Sequence, residues 1–158
     1  MRNSLKTGVS FGLTSSIITT LGLMVGLNSA THSRSVVIGG IITIALADAF
    51  SDALGIHVSE EFDNTNSVHQ VWAATIATFF TKLFFSLTFL VPAIFLHLSH
   101  AIIVSLIWGL SVLVVLSYCI AKTQGNNPWK VILEHVFIAM IVIAVTHFLA
   151  AWISDIFK

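Results

Sequence analysis

Residues Val36–His57 read VVIGGIITIALADAFSDALGIH, a run in which only Asp48 and Asp52 carry a formal charge. An α-helix rises about 1.5 Å per residue and the hydrocarbon core of a bilayer is about 30 Å thick, so a run of this length crosses a membrane. Its apolar residues are continuous rather than alternating, which predicts a helix and not a strand of a transmembrane barrel. Two carboxylates inside such a helix are costly to keep. The stretch is therefore a candidate site as well as a span.

Four similar runs accompany it, at Gly8–Leu27, Val71–Leu96, Ala101–Ala121 and Val131–Ser154. Polar segments separate most of them: Asn28 to Arg34, Glu60 to Asn66, and Thr123 to Pro128. The third and fourth runs are joined tightly around His97 to His100. The expectation is an all-α integral membrane bundle of five transmembrane helices in one domain, residues 1–158. Composition agrees. Hydrophobic residues make up 56% of the 158, charged residues only 9%, and mean hydropathy is +0.97. A soluble domain carries about 25% charged residues. Seven basic residues balance seven acidic ones, which argues against a nucleic-acid partner. The single cysteine, Cys119, excludes an intramolecular disulfide framework and a cysteine-rich zinc site. Arg2 and Lys6 before an apolar run resemble a secretory signal. The run is long for a signal core and rich in small polar residues, so it reads as the first span. The expected surroundings are a lipid bilayer, and no feature of the sequence identifies which membrane.

Five spans place the termini on opposite sides. Arg2, Lys6, Lys122 and Lys130 then share one side, against Arg34 and Lys158 on the other. The excess of basic residues assigns the N-terminus and the second and fourth loops to the cytoplasm.

In the first span Gly8, Gly12, Ser15, Thr19, Gly22 and Gly26 recur at spacings of three and four, on one helical face. Small faces allow close helix approach, either within one subunit or between two. The hydroxyls of Thr14, Ser15, Ser16, Thr19 and Thr20 offer a polar route at mid-depth, or else bond to the carbonyls of the preceding turn.

Asp48 and Asp52 lie one turn apart on one face, and Lys82 falls near the middle of the third span. Each costs about 2.5–3.5 kcal/mol at the centre of a membrane helix, so the bundle must shelter them or pair them. Counting from the expected helix ends, Lys82 matches Asp48 in depth, which leaves Asp52 as a surplus negative charge. Two readings remain open. One is a buried Asp48–Lys82 pair that fixes helix register. The other is a metal or proton site, since a carboxylate in a low-dielectric cleft gains proton affinity and carboxylate and hydroxyl oxygens suit Mn²⁺ or Fe²⁺. An ammonium repels a divalent ion, so in the second reading Lys82 must yield. The loop after the second span gathers His57, Glu60, Glu61, Asp63 and His69. It is either a solvated turn or a loose metal-collecting mouth. An intramembrane protease is not expected: its two carboxylates stand on facing helices, and no His-Glu-x-x-His motif is present. The protein is not read as an enzyme, and no cofactor is implied.

The segment Ala49-Phe50-Ser51-Asp52-Ala53-Leu54-Gly55-Ile56-His57-Val58-Ser59, preceded by Gly39-Gly40, resembles the signature helix of the vacuolar iron transporter family. There, a Ser-Met-Ala-Ala-Gly-Glu core followed by an aromatic residue, Val or Leu, and Ser is typical. The first span, from Ser15 to Gly26, is similar to the family's Asp-Gly-…-Gly-x-x-x-Gly helix, and Leu90-Val91-Pro92 to its Leu-Ile-Pro. The resemblance implies five spans, a cytoplasmic N-terminus, and export of Fe²⁺ or Mn²⁺ in exchange for protons through a pathway at a homodimer interface. Ser15, Thr19, Ser51 and Lys82 would line that pathway, with Asp48 and Asp52 as its metal or proton groups. Ser51, Gly55 and Ser59 agree with the pattern. Ser15, Asp52 and Ile56 stand where the family has Asp, Met and Glu, and the long cytoplasmic metal-binding domain of eukaryotic members is absent. The ligands are thus exchanged on a retained scaffold. The alternative is a structural or regulatory membrane protein that reuses the scaffold without transport.

Overall fold

The computed structural model describes residues 2–63 and 65–157, with side chains from Ser4 onward. Among the described residues six helices follow one another: α1 (Arg2–Thr31), α2 (Arg34–Phe62), α3 (Val68–Thr88), α4 (Leu90–Phe95), α5 (Leu98–Gln124) and α6 (Pro128–Ile156). No strand occurs among the described residues. With α3 and α4 counted as one run, five helical segments are long and apolar enough to cross a membrane. The expected spans hold, and nearly all ends extend by a few residues, because helices continue into the polar interface beyond the apolar run that betrays them. Lys158 and the side chain of Arg2, which entered the charge count, lie outside the described residues.

Two connections differ from expectation. The third span breaks at Phe89, whose N–H bonds to the carbonyl of Ser86 in a tight three-residue turn. Pro92 explains the break: it has no N–H for the carbonyl of Thr88, and its ring crowds that carbonyl. The joint between the third and fourth spans is also shorter than the sequence suggests. α4 ends at Phe95 and Leu98 already opens α5. Elsewhere the turns use ordinary chemistry. Gly125, at φ 71°, closes α5 in the left-handed conformation that glycine tolerates. Asn127 accepts from the Trp129 N–H to cap α6, with Pro128 in its first turn. Ser67 and Gln70 form a capping box on α3.

α1 is the central helix and packs against α2, α3, α5 and α6. Its small-residue seam makes this possible. A Cβ added at Gly8 would stand 2.4 Å from the Ala74 carbonyl, and one at Gly12 would stand 3.0 Å from that of Thr78, so α3 lies directly against this half of α1. Further along, Gly22 and Gly26 face Val142, Thr146 and Ala150 of α6. The seam is therefore filled within one chain. Ile17, Leu21 and Met24 of α1 meet Val37 and Ile41 of α2, Phe89, Leu113 of α5 and Ile143 of α6 in the apolar core. That core occupies the half of the bundle nearer the α1–α2 turn, and the polar cluster adjoins it at mid-depth.

Candidate functional site: a tethered ammonium between two carboxylates

Asp48 is fourteen residues from either end of α2, and Lys82 is fourteen residues from Val68 and thirteen from Phe95. Both therefore stand at the middle of their spans, about 20 Å from each helix end. The bundle shelters them unequally. Lys82 is 1% exposed, whereas the side chains of Asp48 and Asp52 are 20% and 19% exposed. The ammonium is sealed, and the carboxylates are partly exposed.

The contact with Asp48 suggested by depth is present, and Asp52 is not left over. Lys82 Nζ stands 2.6 Å from Asp48 Oδ2 and also contacts Asp52 Oδ2. It further donates to Ser15 Oγ at 2.6 Å, and that hydroxyl in turn donates to Asp52 Oδ2 at 2.6 Å. The i, i+4 spacing sets both carboxylates on one face, and a four-carbon stem reaches both. Depth counted from guessed helix ends could not resolve one turn. Three oxygens thus surround one ammonium with three protons. They are not equivalent. Asp52 is held by the ammonium and by Ser15, whereas Asp48 meets Nζ as an ion pair off the hydrogen-bonding angle, so its Oδ2 lacks a hydrogen bond. With all three groups ionised the cluster keeps one negative charge in excess.

The remaining expected site residues fall outside this cluster. Thr19 donates to the Ser15 carbonyl at 2.9 Å, the local bond open to any helical threonine. Ser51 lies on the exposed face of α2. His57 Nδ1 lies 3.0 Å from Thr75 Oγ1, and its ring stands edge-on to Trp72. Both border an apolar groove of about 380 Å³ between α2 and α3, lined also by Phe50, Leu54 and Phe79. The loop residues are occupied locally. Asn66 donates to Glu60 through its side-chain amide. Asp63 accepts from the Thr65 hydroxyl at 2.7 Å and its N–H at 3.0 Å, and these bonds hold the carboxyl below its usual range. Glu61 and His69 are exposed. The structure does not bring these five together, and no group of three or more His, Cys, Asp or Glu is placed to hold a metal among the described residues.

Sequence reasoning missed several polar contacts. His147 Nδ1 lies 2.6 Å from Ser29 Oγ, and His135 Nδ1 lies 2.8 Å from Ser117 Oγ. Each serine also donates to the carbonyl four residues earlier, at Val25 and Leu113. The imidazole therefore serves as the donor in each pair. Arg34 Nε donates to the Ala93 carbonyl at 2.8 Å, which ties α2 to α4. No local pattern announces these pairs, since their partners are distant in sequence.

No protein-family model matches the chain, and no curated protein matches it significantly. What the five apolar helices carry is an integral, multi-pass membrane protein.

Proposed function

We propose that the protein is a membrane carrier that exchanges a divalent cation for protons, with Asp48, Asp52 and Ser15 as the cation-facing oxygens and Lys82 as a built-in competitor. One observation carries this reading: two partly open carboxylates share a single sealed ammonium at the middle of the span. Lys82 fills the place a cargo ion would take. An arriving divalent ion repels the ammonium, and loss of one proton from Lys82 relieves the clash. The cluster then moves from one excess negative charge to neutrality, which couples one proton released to one ion bound. Asp48, lacking a hydrogen bond to the ammonium, is the oxygen donor freest to turn to the ion. The hard oxygen donors suit Mn²⁺ or Fe²⁺, the cargo that the resemblance to vacuolar iron transporters implies, and the N-terminus is assigned to the cytoplasm as above.

Two carboxylates and a hydroxyl fall short of the six oxygens such an ion prefers. A second copy of the chain would supply more, and the outer face of α2 favours one. Gly39, Thr43, Ala47, Ser51, Gly55 and Ser59 recur every four residues and are all exposed. Nothing lies within 4 Å of a Cβ added at Gly39 or Gly55. Beside this groove runs an exposed ridge, Ile42, Leu46, Phe50, Leu54 and Val58, at the same spacing. Small residues at this spacing mark close helix contacts in membranes, and a ridge beside a groove is self-complementary. Asp48 and Asp52 each follow a groove residue, so a homodimer joined here brings both clusters beside the contact.

The test is flux in proteoliposomes with an internal pH dye. Mn²⁺ or Fe²⁺ uptake should alkalinise the lumen, since protons leave as the ion enters, and Asp48→Asn with Asp52→Asn should abolish both signals. Absence of flux for both ions, or undiminished flux in the double variant, overturns the reading. A structural ion cluster is the second reading. It is favoured by the contact of one ammonium with both carboxylates and the Ser15 hydroxyl.

A further inference from the structure

The end of the bundle opposite the α2–α3 loop holds a second cluster, unrelated to the carboxylates. A cavity of about 310 Å³ is lined by Asn28, His32, Arg34, His97, Leu98 and Ser99. Its polar side chains comprise a guanidinium, two imidazoles, an amide and a hydroxyl, and no carboxylate lines it. Arg34 opens α2 about 21 Å along the helix axis from Asp48. This places the cavity at the level of lipid headgroups.

The residues are held for this arrangement rather than scattered. Arg34 is fixed through Nε to the Ala93 carbonyl, which leaves its two terminal amino groups without a protein partner among the described residues. His32 adopts φ 48°, a conformation uncommon outside glycine, and its N–H bonds to the Asn28 carbonyl at 3.0 Å. This turn brings the last residues of α1 round to the start of α2. His97 precedes α5 and caps it with no side-chain bond. His100, its ring 6.4 Å from that of His97, stands one turn further on. The first turns of α2 and α5 share the rim, so their free N–H groups add to the positive field. Asp155, near this end of the bundle on the last turn of α6, does not line the cavity.

We propose that this cavity binds a phosphate group, with the fork of Arg34 on two of its oxygens and His32, His97, Asn28 and Ser99 as further donors. A guanidinium fork matches phosphate oxygens in pairs, and a concave site that lacks competing carboxylates keeps that charge available. The phosphate comes either from an anionic lipid headgroup or from free phosphate.

The full chain, purified in detergent, is titrated separately with phosphatidylglycerol and with inorganic phosphate while its melting temperature is followed. A ligand that binds the native state must raise it. Three variants accompany the titration: Arg34→Gln, the double variant His32→Gln/His97→Gln, and Lys122→Gln at the opposite end of α5. The expected result is stabilisation by one ligand, weakened about tenfold in the first two variants and unchanged in the third. Stabilisation by the lipid alone assigns a headgroup, and stabilisation by phosphate alone assigns the free anion. The double variant guards against damage to the Arg34–Ala93 tie, since neither imidazole makes a hydrogen bond to another described residue. The proposal is overturned if neither ligand stabilises the chain. It is equally overturned if the double variant binds as well as the parent, or if Lys122→Gln weakens binding as much.

Discussion

α1 and α2 both carry small residues at helical spacing, yet one set is filled and the other open. Gly8 and Gly12 of α1 meet backbone carbonyls of α3, whereas Gly39 and Gly55 of α2 meet nothing within 4 Å. The spacing differs slightly as well. Alternating steps of four and three keep the α1 residues on one straight face, which a near-parallel neighbour can follow for the whole span. Strict steps of four make the α2 residues an inclined row, suited to a neighbour that crosses at an angle. Small residues thus forecast close approach, and their phase forecasts its geometry, but neither says whether the neighbour belongs to the same chain.

Between these two faces lies Lys82 of α3, which holds the inner edge of α2 by charge and Ser15 of α1 by a hydrogen bond. Removing it gives the largest expected effect. Lys82→Met leaves two carboxylates uncompensated in the span and should cost about 3–5 kcal/mol, read as a lowered melting temperature in detergent. Adding Asp48→Asn and Asp52→Asn should restore most of the loss. If the triple variant is stable but carries no ion, the cluster serves transport. If Lys82→Met alone is tolerated, charge does not join the helices.

The filled seam comes next. Gly8→Val places a side chain into the Ala74 carbonyl and should cost about 1–3 kcal/mol of protomer stability through overpacking. Gly55→Leu should leave protomer unfolding within about 0.5 kcal/mol of the parent, the usual range for an exposed position, yet abolish cross-linking between copies in the proposed homodimer. Equal loss of stability in both variants would erase the contrast between the helices. Smallest of all is Asp63→Asn in the exposed α2–α3 loop. Hydrogen bonds from Thr65 lower the Asp63 pKa in the folded chain, so its contribution is present above the ordinary carboxylate pKa and fades as pH falls through the lowered value. The melting temperatures of Asp63→Asn and the parent should therefore converge in acid.

The spans were legible because a bilayer demands long uninterrupted apolar helices and few other sequences supply them. Pro92 stood in plain view, and the break at Phe89 is what its missing N–H requires. Lys82 and the two aspartates were legible as a group, since charges inside a span are rare and need a partner or water. Their pairing was not, because reach and rotation about three helix axes decide it. The serine–histidine pairs were hidden for a related reason: Ser29 and His147 lie at opposite ends of the chain and meet only when α6 returns to α1. The groove on α2 was written at a spacing of four, yet its meaning depends on which face the rest of the bundle leaves uncovered.

The interruption at Phe89 divides the third span into a long and a short helix, joined at a residue buried in the core. Lys82 rides on the longer helix, and the Ala93 carbonyl that anchors Arg34 rides on the shorter one. The ammonium and the Arg34 tie therefore hang on separate helices, and the two ends of the third span are secured independently.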